Sequence, residues 1–223
     1  MNPLPKTIPY HIFESLRLGI IRGIYPPGKS LREQELEGQF GSSRGPVRES
    51  LRLLELKGLA VHTPRRGFRV PTFSDKDLGQ LYELRAQLEC MVIDALKDQP
   101  IAEICASLRQ NLDVMEVHFK NGDLDRYFDE NIRFHEIMIA AAGNQPLRRV
   151  LDIINEMSLP IRYFVMSRKF SEGRSIKYHR LIIDHLKRKD FAKAKKITEV
   201  HILENLDFVR SAYAKAFGAA LEE

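Results

Sequence analysis

Leu31–Val70 reads LREQELEGQFGSSRGPVRESLRLLELKGLAVHTPRRGFRV, and this stretch decides the fold of the first part of the chain. Its apolar spacing predicts a short helix, a tight turn, a second helix and a β-hairpin. Gly41 and Gly58 are expected to end the two helices, because glycine enters the left-handed backbone conformation without steric cost. Ser42 or Ser43 is expected to cap the second helix through its side-chain oxygen.

Arginine side chains follow one face of the second helix. Arg44, Arg48 and Arg52 are four residues apart, so they form one cationic row. Such a row is usually a solvated surface, but this one begins at the helix N-terminus, where cations oppose the helix dipole. That placement suits contact with phosphates and bases better than it suits stability. With the basic hairpin tip, residues 63–66, the row predicts a winged helix-turn-helix that enters the major groove of double-stranded DNA.

Charge is concentrated in the same part of the chain. Residues 1–73 hold 12 Lys and Arg against 6 Asp and Glu, whereas the remaining 150 residues hold 23 against 24. A cation excess confined to one part favours phosphate contact in that part alone. The length of 223 residues is enough for two domains. We therefore expect a DNA-binding domain over residues 1–73 and a second domain over residues 74–223.

Cysteine usage and hydropathy bear on where the protein works. Cys90 and Cys105 are the two cysteines, and they do not form a metal-type CxxC pair. No run of about eighteen apolar residues is present, so we expect no membrane span. The first ten residues lack the apolar core of a signal peptide. These features predict a cytoplasmic protein with no membrane partner.

Residues 74–223 show helical periodicity and no strand pattern. Helices are predicted at about 75–97, 100–120, 123–142, 145–168, 172–188 and 190–217. Asp190 is expected to cap the last helix, and Pro160 to bend or split the fourth. The predicted fold class is therefore mainly α, with an N-terminal winged helix-turn-helix domain and a C-terminal all-α helical bundle.

Polar residues on the inward faces of the bundle helices are candidate site residues, because burying them without a partner is costly. Asn131 and His135 lie four apart on one inward stripe, and His179 and His201 lie on two others. Each histidine alone is more typical of a hydrogen-bonded core residue than of a ligand. Together they favour a site for a divalent transition metal such as Zn, Ni, Co or Mn.

Arg85 is a further polar residue on an inward stripe, shared with Leu81, Leu88 and Val92. A buried guanidinium requires an anion. That anion is either an internal carboxylate such as Glu89 or the carboxylate of a ligand, which a guanidinium binds through two parallel hydrogen bonds. The sequence leaves both alternatives open.

The chain resembles the GntR family of bacterial transcription regulators, in the FadR-like branch with an FCD ligand-binding domain. In the first domain the resemblance rests on LREQEL at 31–36, SRGPVRESL at 43–51, LKGL at 56–59 and RGFRV at 66–70. In the second domain it rests on Leu84-Arg85, Asn131 with Phe134-His135, Gly143-Asn144, His179 and His201.

The resemblance implies a set of DNA contacts. It implies that Arg32, Arg44 and Arg48 contact operator DNA, and that Gly67 lets the wing approach the DNA backbone. The cationic row and the hairpin tip add three more candidate DNA-binding residues, namely Arg52, Arg65 and Arg66.

The resemblance also implies a metal held by Asn131, His135, His179 and His201. A small carboxylate effector would complete the coordination of this metal, with Arg85 nearby. Asn131 departs from the Asp that many relatives carry at this position. A carboxamide oxygen ligates without adding charge, so we expect weaker metal binding.

The predicted function is that of a homodimeric, ligand-responsive transcription repressor without enzymatic activity. Two helix-turn-helix units would read a short palindrome, and the effector would shift the linker around residues 71–74. One alternative is a metal-dependent hydrolase, because three histidines also suit water activation, although no inward carboxylate stands out as its general base. Another alternative is an architectural DNA-binding protein whose bundle only dimerises.

Overall fold

The first part of the chain forms a three-helix unit with a small sheet. The computed structural model describes residues 7–218, except the side chain of residue 171. The elements of the first part are α1 (Ile8–Ile21), β1 (Ser30–Leu31), α2 (Glu33–Phe40), α3 (Arg44–Leu56), β2 (Val61–Thr63) and β3 (Gly67–Arg69). Strand β3 lies between β1 and β2 and pairs antiparallel with both. The predicted winged helix-turn-helix is confirmed, and β1 is a two-residue strand that the sequence did not reveal.

The turn between α2 and α3 follows the prediction at one residue and departs from it at another. Gly41 ends α2 in the left-handed conformation, with φ 57°. Ser43 occupies the N-cap position of α3, but its side chain makes no capping hydrogen bond. The predicted cap interaction is therefore wrong. Burial of Val47, Leu51 and Leu54 on one side of α3 stabilises the helix instead, at about 1.5–3 kcal/mol for each apolar side chain.

The rest of the described chain is helical, as predicted. The helices are α4 (Asp75–Ala95), α5 (Ile101–Lys120), α6 (Leu124–Ala141), α7 (Gln145–Lys169), α8 (Arg174–Lys187), α9 (Phe191–Leu203) and α10 (Leu206–Phe217), with 3-10 turns at Leu96–Asp98 and Phe170–Glu172. Asp190 caps α9 by accepting a hydrogen bond from the backbone N–H of Lys193, as predicted. The expected single helix at 190–217 is two helices, because the chain turns at Glu204 and Asn205.

Pro160 does not split α7, although a proline inside a helix removes a hydrogen bond and crowds the preceding turn. Its neighbours Leu159 and Ile161 are both buried. Their packing offsets the cost of the proline, so helix propensity alone did not decide this segment.

The chain divides into two compact units. Among the described residues, the first contains residues 7–75 together with Glu156–Phe164 of α7 and residues 212–218, and the second contains residues 76–155 and 165–211. Within the first unit, Arg17 donates two hydrogen bonds to the Glu156 carboxylate, at 2.8 and 2.6 Å. The domain boundary at residue 73 stays a prediction. Among residues 7–218, no helix is both long and apolar enough to cross a membrane.

Candidate functional site

The predicted cationic row lies on the exposed side of α3. The side chains of Arg44, Arg48 and Arg52 are 70%, 50% and 56% exposed. The opposite side of α3 carries the buried Val47 and Leu51, which belong to the core of the first unit. Because the apolar side is held in this core, the arginines are presented to solvent along one line.

Carboxylates of the first unit pair with these arginines. Glu33, at the start of α2, accepts a hydrogen bond from Arg44 Nε at 2.6 Å and lies 3.6 Å from Arg48 Nε. The hydrogen bond from Arg44 to Glu33 raises the pKa of the guanidinium. Arg32 pairs with Glu35 in the same way, at 3.2 Å. Exposed ion pairs contribute about 0–1 kcal/mol, so these pairs orient the arginines without locking them in place.

The wing presents two further predicted residues, Arg65 and Arg66, both exposed. Arg65 has φ 68°, a left-handed conformation that costs a non-glycine residue about 1–2 kcal/mol. Gly67 has φ 78°, and a Cβ built there would meet no atom within 4 Å. The backbone conformation, and not a lack of space, is therefore what favours glycine at this position.

Three histidines converge inside the second unit. Their candidate ligand nitrogens, from His135 on α6, His179 on α8 and His201 on α9, all lie within 4.8 Å of one another. The His135 and His201 rings are parallel, with centroids 5.6 Å apart. The His179 ring stands nearly perpendicular to both, at 80° and 81°, and stacks on Phe134 at 3.7 Å. Three imidazoles gathered in this way could hold a transition metal.

Asn131 supplies a further oxygen on the same buried side of α6, one turn before His135. Its side chain is 3% exposed, and its Oδ1 atom has no hydrogen-bond partner among the described residues. A buried polar oxygen without a partner costs about 1–3 kcal/mol. Coordination of a cation would remove this cost, so the residues present fit the divalent metal predicted from the sequence.

A buried carboxylate connects Arg85 to this cluster. Glu89 is 2% exposed; its Oε1 lies 2.7 Å from Arg85 Nη2, and its Oε2 lies 2.6 Å from His135 Nδ1. A carboxylate paired with a guanidinium is ionised and only accepts, so His135 Nδ1 donates this hydrogen bond. Nε2 is then the nitrogen that would ligate a metal, in the usual arrangement of a metal-ligating histidine with a carboxylate behind it.

The position of Glu89 bears on two sequence expectations. Of the two anions considered for Arg85, the structure shows the internal one, and a role of Arg85 in effector binding stays a prediction. No inward carboxylate near the histidines stood out from the sequence as a general base, whereas the structure places the Glu89 carboxylate against His135. Glu89 was considered only as a partner of Arg85, and its contact with His135 was not predicted because 46 residues separate the two.

Four polar residues beside His201 were not singled out from the sequence. The Tyr178 ring lies 5.2 Å from the His201 ring, and the Tyr178 hydroxyl donates a hydrogen bond to Glu204. Arg174 pairs with the same carboxylate and donates to Asn205 Oδ1 at 2.8 Å. Burial and the Glu204 hydrogen bond raise the pKa of Tyr178, so its hydroxyl stays protonated near neutral pH. Arg174 and Tyr178 are four residues apart on one helix, and this spacing could have indicated that their side chains lie on the same face.

Two family models match this chain. The model described as "Bacterial regulatory proteins, gntR family" matches residues 10–70, and the "FCD domain" model matches residues 80–204, more than half of the chain. The chain belongs to the GntR family of bacterial regulators and carries an FCD domain. This GntR protein is a transcription regulator and not an enzyme, which removes the metal-dependent hydrolase from consideration.

Relatives of this GntR protein cover most of its length. It is 28% identical over 210 residues to the HTH-type transcriptional regulator YdhC of Bacillus subtilis, covering 93% of this chain and 94% of the relative. It is 28% identical over 203 residues to the gluconate operon transcriptional repressor of B. subtilis, covering 87% and 80%. The solved structure of E. coli McbR/YncC has a TM-score of 0.78 at 20% identity, covering 93% and 99%. At that identity the structural likeness shows the shared fold.

Proposed function

We propose that this GntR protein is a homodimeric repressor that releases operator DNA in response to a small carboxylate bound at a transition metal. The observation that carries the sensing half is the convergence of three imidazoles from three helices to within 4.8 Å. The exposed arginine row on α3 carries the DNA-binding half. One relative is named as the transcriptional repressor of a gluconate operon, and gluconate is a small carboxylate.

The DNA-binding half rests on the arginines of α3 and the wing. Arg44 and Arg48 would read base edges in the major groove, where a bidentate contact with guanine is worth about 1–3 kcal/mol of discrimination. Arg32, Arg52, Arg65 and Arg66 would contact phosphates, and Gly67 would allow the wing to approach the backbone. Two copies would place two such units on adjacent turns of a palindrome.

The sensing half rests on residues of the second unit. His135, His179, His201 and Asn131 would hold the metal, and Glu89 would orient His135 while Arg85 balances the charge of Glu89. When bound, a divalent metal supplies open coordination positions for a carboxylate. The acid changes DNA affinity only if it binds one arrangement of the regulator better than the other, and the linker at residues 71–74 is the segment we expect to respond.

A selection from random duplexes, followed by gel shift at physiological salt, tests the DNA-binding half. We expect Arg44→Ala and Arg48→Ala each to weaken binding to the selected site by about 10- to 100-fold. Arg109→Ala is the matched control, because Arg109 is an exposed arginine on α5 whose exposure is close to that of Arg48. Equal affinity of all three variants would refute the assigned surface.

Zinc content after dialysis tests the metal. We expect His179→Ala to lose bound zinc, whereas His185→Ala, which removes another imidazole from the same helix, keeps it. Equal zinc in the two variants would exclude His179 from the site.

Thermal unfolding with small acids, in the presence and absence of zinc, tests the effector. If no acid shifts the zinc-loaded protein, the architectural role is favoured instead.

A further inference from the structure

Of the three clustered histidines, one is partly exposed to solvent. His135 and His179 are 2% and 0% exposed, whereas His201 is partly exposed. The Tyr178 ring flanks this exposed histidine, with the two ring centroids 5.2 Å apart. A ligand that approaches the cluster from solvent beside His201 therefore passes Tyr178.

Tyr178 and Arg174 direct their donors at one carboxylate. They lie one turn apart on α8, and both bind the side chain of Glu204, the hydroxyl at Oε2 and the guanidinium at Oε1. Arg174 also donates to Asn205 Oδ1 at 2.8 Å and lies 3.6 Å from Glu172 Oε2, so contacts independent of Glu204 position the guanidinium. Together these groups form a pair of donors that fits a carboxylate.

We infer that Arg174 and Tyr178 bind the second carboxylate of a small dicarboxylic acid, and that Glu204 occupies these donors until the acid arrives. The inference rests on the proposed function, in which the first carboxylate binds at the metal beside His201. A ligand carboxylate has the same shape and charge as the side chain it replaces, so the hydrogen bonds of Arg174 and Tyr178 are conserved in the exchange.

Glu204 is suited to such an exchange. It lies in the turn between α9 and α10, and a third of its side chain is already exposed to solvent. On release its carboxylate passes into water, where hydration replaces the lost contacts. A buried carboxylate such as Glu89 has no comparable route into solvent.

The alternative is a purely structural ion pair between α8 and the α9–α10 turn. The two interpretations predict different changes in the affinity for a dicarboxylate when Glu204 is replaced. If the pair is structural, removing either partner harms the fold in the same way. If Glu204 competes with a ligand, removing Glu204 strengthens acid binding, whereas removing Arg174 weakens it. Affinity for a dicarboxylate therefore separates the two readings.

Calorimetric titration of the zinc-loaded full chain with succinate, and with butyrate as the monocarboxylate of equal length, tests the inference. We expect Glu204→Gln to bind succinate about 10-fold more tightly, and Arg174→Gln and Tyr178→Phe to bind it about 10-fold more weakly. Affinity for butyrate should not change in any variant. Arg180→Gln is the control, because Arg180 lies on the same helix and pairs with Glu116.

Zinc content and thermal unfolding of each variant keep the outcomes distinct. If Arg174→Gln does not fold, Arg174→Lys replaces it, because a lysine keeps the charge and loses the bidentate geometry. If the affinity for succinate changes in the same direction in Glu204→Gln and Arg174→Gln, or changes in neither, the inference is overturned and the proposed function is left intact. A parent protein that holds no zinc, or that holds zinc and binds neither acid, would overturn both.

Discussion

Replacing Glu89 by glutamine separates two roles of one buried carboxylate. The side chain keeps its size but loses the charge that pairs with Arg85, whose side chain is only 5% exposed. An uncompensated buried charge costs about 3–5 kcal/mol, so we expect the metal-free protein to lose that much of its free energy of unfolding. The carboxylate behind His135 is lost as well, and the loss of such a partner weakens metal binding by about 10- to 100-fold.

The second effect is measurable as a change in zinc-induced stabilisation. At a fixed zinc concentration well above both dissociation constants, a 10- to 100-fold weaker affinity lowers the stabilisation by about 1.4–2.7 kcal/mol. Urea unfolding followed by circular dichroism gives the free energy of unfolding of each protein, once with excess chelator and once with buffered zinc. The difference between the two values is the zinc-induced stabilisation.

The double variant Arg85→Met with Glu89→Gln is the control. It removes both members of the ion pair, and replacement of a buried pair by uncharged groups of similar volume is often neutral. We therefore expect the metal-free stability to recover toward that of the parent while the zinc effect stays small. An unchanged zinc effect in Glu89→Gln would show that this carboxylate does not support His135. A double variant as unstable as Glu89→Gln would show that Arg85 is not the source of the destabilisation.

Two other substitutions test the site and the wing. Asn131→Asp should destabilise the metal-free protein, because the new carboxylate is buried. It should also tighten zinc binding by roughly 10-fold, because it adds a negative charge to the ligand set. Competition with a fluorescent zinc chelator measures the zinc affinity. Weaker zinc binding would exclude this side chain from the ligands. Arg65→Gly should raise the free energy of unfolding by about 1 kcal/mol, because glycine adopts the left-handed conformation without strain; urea unfolding measures this. It should also reduce the salt dependence of DNA binding, because one cationic side chain is lost; titrations at several salt concentrations measure this. A less stable Arg65→Gly protein would contradict the backbone argument.

The sequence predicts this fold well wherever local patterns determine it. Helical periodicity indicates which side of a helix faces inward, so Asn131, His135 and His179 could be placed on buried stripes and His201 on a partly buried one. The start of α9 was also predicted, because a single capping residue, Asp190, marks it in the sequence.

Contacts that depend on how helices are rotated and crossed were not predictable. The hydrogen bond between His135 and Glu89 joins two helices, and the ion pair of Arg174 with Glu204 joins α8 to the turn between α9 and α10. Long side chains reach their partners through several rotatable bonds, and no sequence period encodes that reach. Strand β1 has only two residues, too few for alternation to be seen.

Glu33 has a consequence for how long a DNA complex lasts. Arg44 and Arg48 already have an anionic neighbour in the free protein. If these arginines contact operator phosphates as proposed, docking would exchange one anion for another and leave the Glu33 carboxylate facing the DNA, which would limit affinity and shorten residence on the duplex. In the proposed repressor, the speed of induction would then be set within the DNA-reading surface itself.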